Sequence, residues 1–220
     1  MARRRFVLLV GVAAIVILLA ATLNGVFGSS ASFAVPSRAA LAGLSLRERI
    51  VAVANSQVGY STDPSRFYCN KFSSHWDAGG TDCPRGERSE EWCADFAAWA
   101  WRKAGVRFTY GYGSAEINGG AASFYEWSVA NGSWHPGVSG YVAAPGDVAV
   151  YGLSLSPEPS AAHVALVTSA QAGQRGPNVI NGDGDRTGFS VVETGTNQVR
   201  ADTGHGGGAT LSGYVSPASA

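Results

Sequence analysis

The run SEEWCADFAAWAWRKAG, residues 89–105, decides how the chain is read. Ser89 is placed as an N-cap, Glu90 and Glu91 suit the positive end of a helix dipole, and Arg102 and Lys103 fall in the last turn. Gly105 supplies the stop. Cys93, Ala97, Ala100 and Ala104 share one stripe, and side chains this small let a helix approach a sheet closely. Trp92, Trp99 and Trp101 point in several directions, so one or two are expected in the core and an exposed one could line a groove. Cys93 sits in the first turn. There the dipole and the free backbone N–H groups favour a thiolate and are expected to lower its pKa. The same N–H groups could serve an oxyanion hole.

Upstream, Ser45-Leu46-Arg47-Glu48 is a capping box, with Leu46, Ile50, Ala54 and Val58 following at helical spacing and Gly59 as the stop. Tyr60 to Arg88 shows no clear period and reads as a long irregular loop. A Cys69–Cys83 disulfide would hold it, contributing roughly 3 kcal/mol by loop-closure entropy. Downstream, Ser123 to Ala130 reads as a third helix. From Pro145-Gly146 onward the character changes to strands: Asp147–Tyr151, His163–Thr168, Asn178–Asn181, Ser190–Glu193 and Ser212–Val215. Helices first and an antiparallel sheet afterwards make an α+β domain.

The chemistry follows from that order. A thiolate needs an imidazole beside it, both to hold the ion pair and to protonate a leaving amine. His163 opens a strand, where its side chain can face the helix end, and Asn181 on the next strand can orient the ring. Asp183 is the rival for that third role. Tyr60 and Tyr68 are candidates for an oxyanion side chain.

Residues 91–99 and 102–106 look like the nucleophile helix of CHAP domains, the cysteine, histidine-dependent amidohydrolases/peptidases of the papain-like cell-wall hydrolases. Residues 145–151 and 163–167 resemble that family's histidine segment. Val179-Ile180-Asn181-Gly182-Asp183 sits where the family commonly has an Ile-Glu-Gly-Asn-like stretch. Residues 54–60 and 213–217 are similar to its first helix and its common ending. The likeness covers roughly residues 46 to 217. It implies a papain-like fold, Cys93 as nucleophile, His163 as base and Asn181 as orienting residue, with no cofactor. The implied reaction is cleavage of peptidoglycan amide bonds, at the muramoyl–alanine linkage or within the peptides. Asn181 departs from the Glu that many members carry. A catalytically silent wall-binding module and a peptidase acting on proteins remain the alternatives.

Other readings bound the answer. Arg3, Arg4 and Arg5 precede an uncharged apolar run from Phe6 to Leu23, the order of a signal peptide or an N-terminal membrane anchor. Residues 1–34 are assigned to that segment, 35–44 to a linker and 45–217 to the catalytic domain, so the protein is expected to be exported and monomeric. Without residues 1–34 the chain has 13 basic against 16 acidic residues, net −3, which argues against a nucleic-acid surface. Three cysteines in an exported chain leave one odd, either reactive or paired outside the chain. Cys69, His75 and Cys83 match no compact zinc spacing. Residues 183–188 begin like a calcium loop, but the twelfth position is Thr194, so an acidic hairpin is the better reading. His75, His135 and His205 are expected on exposed loops.

Overall fold

In the computed structural model, residues 33–63, 68–174, 176–186, 189–195, 200–201 and 209–217 are described. The targeting segment lies outside them except for Phe33 and Ala34, as does His205. The capping box forms as expected: Ser45 Oγ accepts the Glu48 N–H and the Glu48 carboxylate accepts the Ser45 N–H. It starts helix α2, Leu46–Asn55. A four-residue helix α1, Arg38–Leu41, precedes it and buries Leu41. The segment ahead of the capping box is therefore packed on the domain. Phe33 continues this contact, its carbonyl accepting Gln57 Nε2 and its ring meeting Tyr60 edge-on.

The disulfide Cys69–Cys83 is present. That consumes both thiols and removes Cys69 and Cys83 as zinc ligands. The loop it closes is more ordered than the sequence suggests. Strand β1, Cys69–Asn70, pairs with β2, Arg88–Ser89, and between them lies helix α3, Lys71–Trp76. The Asn70 carboxamide caps α3 by accepting the N–H groups of Phe72 and Ser73. His75 is thus on an exposed helix rather than a loop.

The helix that begins at Cys93 is α4, Cys93–Ala104, closed by Gly105 in the left-handed region at φ 107°. Its start corrects the sequence reading. Ser89 belongs to β2, and the N-cap is Trp92, which makes no side-chain cap bond. Trp92, Trp99 and Trp101 are all buried, so none lines an exposed groove. The reason is that α4 is enclosed, with α2, α3 and strands β5 and β6 packed around it. Helix α5, Ala122–Ala130, follows.

The sheet comprises β3 (Trp134–Pro136), β4 (Val148–Tyr151), β5 (His163–Ser169), β6 (Asn178–Arg186), β7 (Phe189–Gly195), β8 (Arg200–Ala201) and β9 (Ala209–Val215). The order is β3-β9-β4-β5-β6-β7, with β8 beside β9 and every pairing antiparallel. Alternation along the strands splits the core. Val148, Val150, Val164, Leu166, Ile180 and Val192 join the cluster around α4, while Ala149, Tyr151, Ala165, Val167, Val179 and Tyr214 form a second cluster. This is the α+β, papain-like arrangement of helices on an antiparallel sheet. His135 lies in β3, half-buried, stacked on Tyr141 and bonded to Ser216, so it too is not on an exposed loop.

Two contacts fix α4 against the sheet. A Cβ on Gly182 would lie 2.5 Å from Phe96 Cβ, so only glycine permits this approach. Arg47 of α2 bonds the Pro145 carbonyl at 2.9 Å and the buried Asp147 carboxylate at 2.6 Å, tying α2 to the turn that opens β4.

Candidate active site

Cys93 is the first residue of α4 and the free cysteine, 7% exposed. His163 opens β5 and is 4% exposed, and Asn181 on β6 is 6% exposed. The β5–β6 register sets Asn181 opposite Ala165, two residues from His163. The two side chains are then diagonal neighbours on one face, a separation long side chains can bridge. His163 Nε2 and Asn181 Oδ1 lie 3.1 Å apart. A carboxamide oxygen only accepts, so Nε2 carries the proton and Nδ1 is the basic nitrogen.

The thiol is placed by backbone. The N–H groups of Val164 and Ala94 both donate to the Cys93 sulfur. Val164 directly follows His163, so strand β5 presents the imidazole and a sulfur-binding amide from adjacent residues.

Asp183 stands elsewhere in the same region. It lies at the irregularity in β6–β7 pairing between Asn181 and Gly184, with a left-handed φ of 57°. Its Oδ2 accepts the Trp92 N–H at 3.0 Å, and its Oδ1 accepts the Ser190 hydroxyl. One short stretch of β6 therefore orients the histidine through Asn181 and caps the nucleophile helix through Asp183. The N-cap that Ser89 does not provide comes from a strand 91 residues away in sequence. No local pattern announces it.

The electrostatics depart from the sequence expectation. Burial pushes the Cys93 thiol up to about 12, and the charges of Asp183 and Asp95 add to the rise, while the Val164 and Ala94 N–H groups oppose it. Desolvation thus outweighs the helix terminus. Burial also holds His163 below its ordinary 6.5, against the upward pull of the Asn181 bond and of Glu91. At rest both the thiol and the imidazole are accordingly neutral. Such a pair can act by general base, the thiol proton passing to Nδ1 as sulfur attacks.

Tyr60 makes its hydrogen bond outside this set of groups. The Tyr60 hydroxyl accepts the Lys71 N–H at 3.2 Å, and its ring packs on Phe72 and Trp92. Tyr68 is half-buried against the core. Among the described residues, no group of three or more His, Cys, Asp or Glu could hold a metal ion. Side chains of residues 185–188 lie outside the described set, which leaves the calcium-loop reading with Asp183 and Gly184 alone.

Residues 85–182 match the family model of the CHAP domain. The chain carries a CHAP domain. Neither a curated protein nor a solved structure matches it. The matched stretch begins just after the disulfide loop, runs through α4 into β6, and includes Cys93, His163 and Asn181. A CHAP domain points to an amidohydrolase or peptidase of the peptidoglycan-hydrolase type. Helix α2 and strands β7 and β9 lie outside the match yet complete the same packed unit.

Proposed function

We propose that this protein is an exported peptidoglycan hydrolase that cleaves amide bonds of cell-wall peptides, at the muramoyl–alanine linkage or within a peptide. Cys93 is the nucleophile, His163 the base and acid, and Asn181 the residue that fixes the ring. The observation that carries the reading is the pairing of His163 Nε2 with Asn181 Oδ1 at 3.1 Å, beside a thiol that accepts the amide of Val164. The pair supports a base with its orienter, and the Val164 amide ties the nucleophile to the strand that carries that base.

The sulfur attacks the carbonyl carbon while His163 Nδ1 takes the thiol proton. The tetrahedral oxyanion collapses, the amine leaves with that proton, and a thioester remains on Cys93. Water, deprotonated by the same nitrogen, adds to the thioester and releases the acid and the free thiol. Backbone N–H groups at the start of α4 stabilise the oxyanion. Export rests on Arg3–Arg5 and the apolar run 6–23, which either is removed as a signal or stays as an anchor.

The test is digestion of purified peptidoglycan by the protein and by Cys93→Ala, with products read by mass spectrometry. New free amines with the parent alone are expected, and their masses name the bond. Equal release from both proteins overturns the assignment. No release from either, across several wall chemistries, transfers the reading to a silent binding module or to a protein substrate.

A further inference from the structure

Glu90 and Asp95 have no part in the covalent steps proposed above. Asp95, two residues along α4, is fully buried. Its Oδ1 accepts the Tyr110 hydroxyl, and its backbone carbonyl accepts Trp76 Nε1 at 3.1 Å. Trp76 in turn stacks on the Tyr110 ring with centroids 4.2 Å apart. Asp95 Oδ2 and Glu90 Oε1 are buried, and among the described residues no N–H or hydroxyl donates to either. The two carboxyl groups hydrogen-bond each other instead. Glu90 has little room to turn away: a Cβ on Gly119 would come within 2.9 Å of its Oε1, and one on Gly79 within 3.0 Å of its Cβ.

Carboxylate oxygens only accept, so two carboxyls stay in hydrogen-bond contact only when one of them carries a proton. We propose that Glu90 and Asp95 share one proton and form a latch between the segment leading into the nucleophile helix and the loop of residues 106–120, closed while the proton is held and released when it is lost in alkali. Tyr110 anchors that loop on the same carboxylate, so repulsion between two ionised acids falls on the contact that pins the loop to α4.

The surroundings agree. Burial, followed by the bond to Asp95 and the charge of Asp95, raises Glu90 from 4.5 to about 8. The groups that feel these acids are Tyr110 and Tyr112 on the loop, both raised, and Cys93 on α4. The cations nearby are Arg88, which donates to the Gly79 carbonyl and pairs with Asp77, and Arg102, which donates to the Phe108 carbonyl and lies over Trp76. A folded-state pKa above the unfolded one gives stabilisation that is complete below 4.5 and is lost as pH rises through about 8.

The experiment follows the thermal midpoint of the full protein against pH, beside Glu90→Gln. Glutamine keeps a donor toward Asp95 and has no proton to lose. The parent midpoint is expected to fall by a few degrees between pH 4.5 and about 8 and to level off above, and the variant to lack that fall. The same fall in both proteins, or no fall in the parent, overturns the latch. If Glu90→Gln does not fold, infrared spectra of the parent decide. A protonated-carboxyl band present at neutral pH and lost through about pH 8 supports the latch, and its absence at neutral pH overturns it. Neither readout needs a substrate, so a failed latch leaves the hydrolase reading untouched.

Discussion

Two clusters of buried polar groups flank the first turn of α4, and they are satisfied in different ways. Toward the sheet, unlike groups meet: imidazole with carboxamide, thiol with backbone N–H, Asp183 with the Trp92 N–H and the Ser190 hydroxyl. Toward the 106–120 loop, like groups meet, with Glu90 against Asp95 and the Tyr110 phenol donating to Asp95. Both clusters sit at the same helix end and feel the same dipole. What separates them is the tertiary neighbour each received. Under the proposed mechanism the pairing of unlike groups prepares a proton to move from sulfur to nitrogen, whereas under the proposed latch the pairing of like groups stores one.

The largest effect expected from breaking the sheet-side cluster is loss of hydrolysis in Cys93→Ala or His163→Ala, roughly 10⁴-fold or more in amine release. Near-normal thermal midpoints should accompany it, and turnover within tenfold of the parent would contradict the assigned roles. Asn181→Ala, which frees the ring without removing it, should lower kcat about 10²-fold with little change in KM. Recovery in Asn181→Asp, which keeps an oxygen acceptor toward Nε2, would distinguish orientation from simple packing. Gly182→Ala forces a Cβ into Phe96 and should cost about 1–3 kcal/mol in denaturant unfolding. A neutral result there would mean that α4 and β6 are free to separate.

Two smaller effects sharpen the electrostatic contrast. His163 is held below 6.5, so it stays neutral in the folded protein where an unfolded histidine has begun to protonate. Stability linked to this group is present above 6.5 and is lost as pH falls through the lower folded value. The acid limb of activity should likewise lie below pH 6.5, and a limb above it would refute a buried neutral base. Asp183→Asn keeps an oxygen for the Trp92 N–H but removes a charge that raises the Cys93 thiol. Alkylation of Cys93 at neutral pH should then speed up a few-fold, and an unchanged rate would assign the rise to burial alone.

The parts of this arrangement that were legible in the sequence are those set by local pattern. The Ser45–Glu48 box, the Gly105 stop and the strands of the second half needed only periodicity and turn residues. Helix α3 was hidden because it is six residues long and is capped by Asn70 inside a disulfide loop with no period. Ser89 misled because it obeys N-cap preference, whereas the cap is Asp183, delivered by the sheet. Cys93, His163 and Asn181 were singled out by type and order and by family likeness; the meeting of His163 with Asn181 depends on the β5–β6 register, which spacing does not fix. The direction of the thiol pKa was misjudged for a related reason. The helix terminus is visible locally, but the burial that outweighs it comes from α2, α3 and the sheet closing around α4. One signal for the acid pair was available. Asp95 is a charge inside a run from Trp92 to Trp101 that is otherwise apolar, and such a residue needs a buried partner.

The most direct test of the central claim is to quench a peptidoglycan digest within its first turnovers and locate any covalent adduct by peptide mass spectrometry. A thioester on the peptide that contains Cys93, absent in Cys93→Ala and accumulating when water attack is slowed, is the predicted result. Amine release with no adduct on Cys93, and undiminished in Cys93→Ala, would contradict the account.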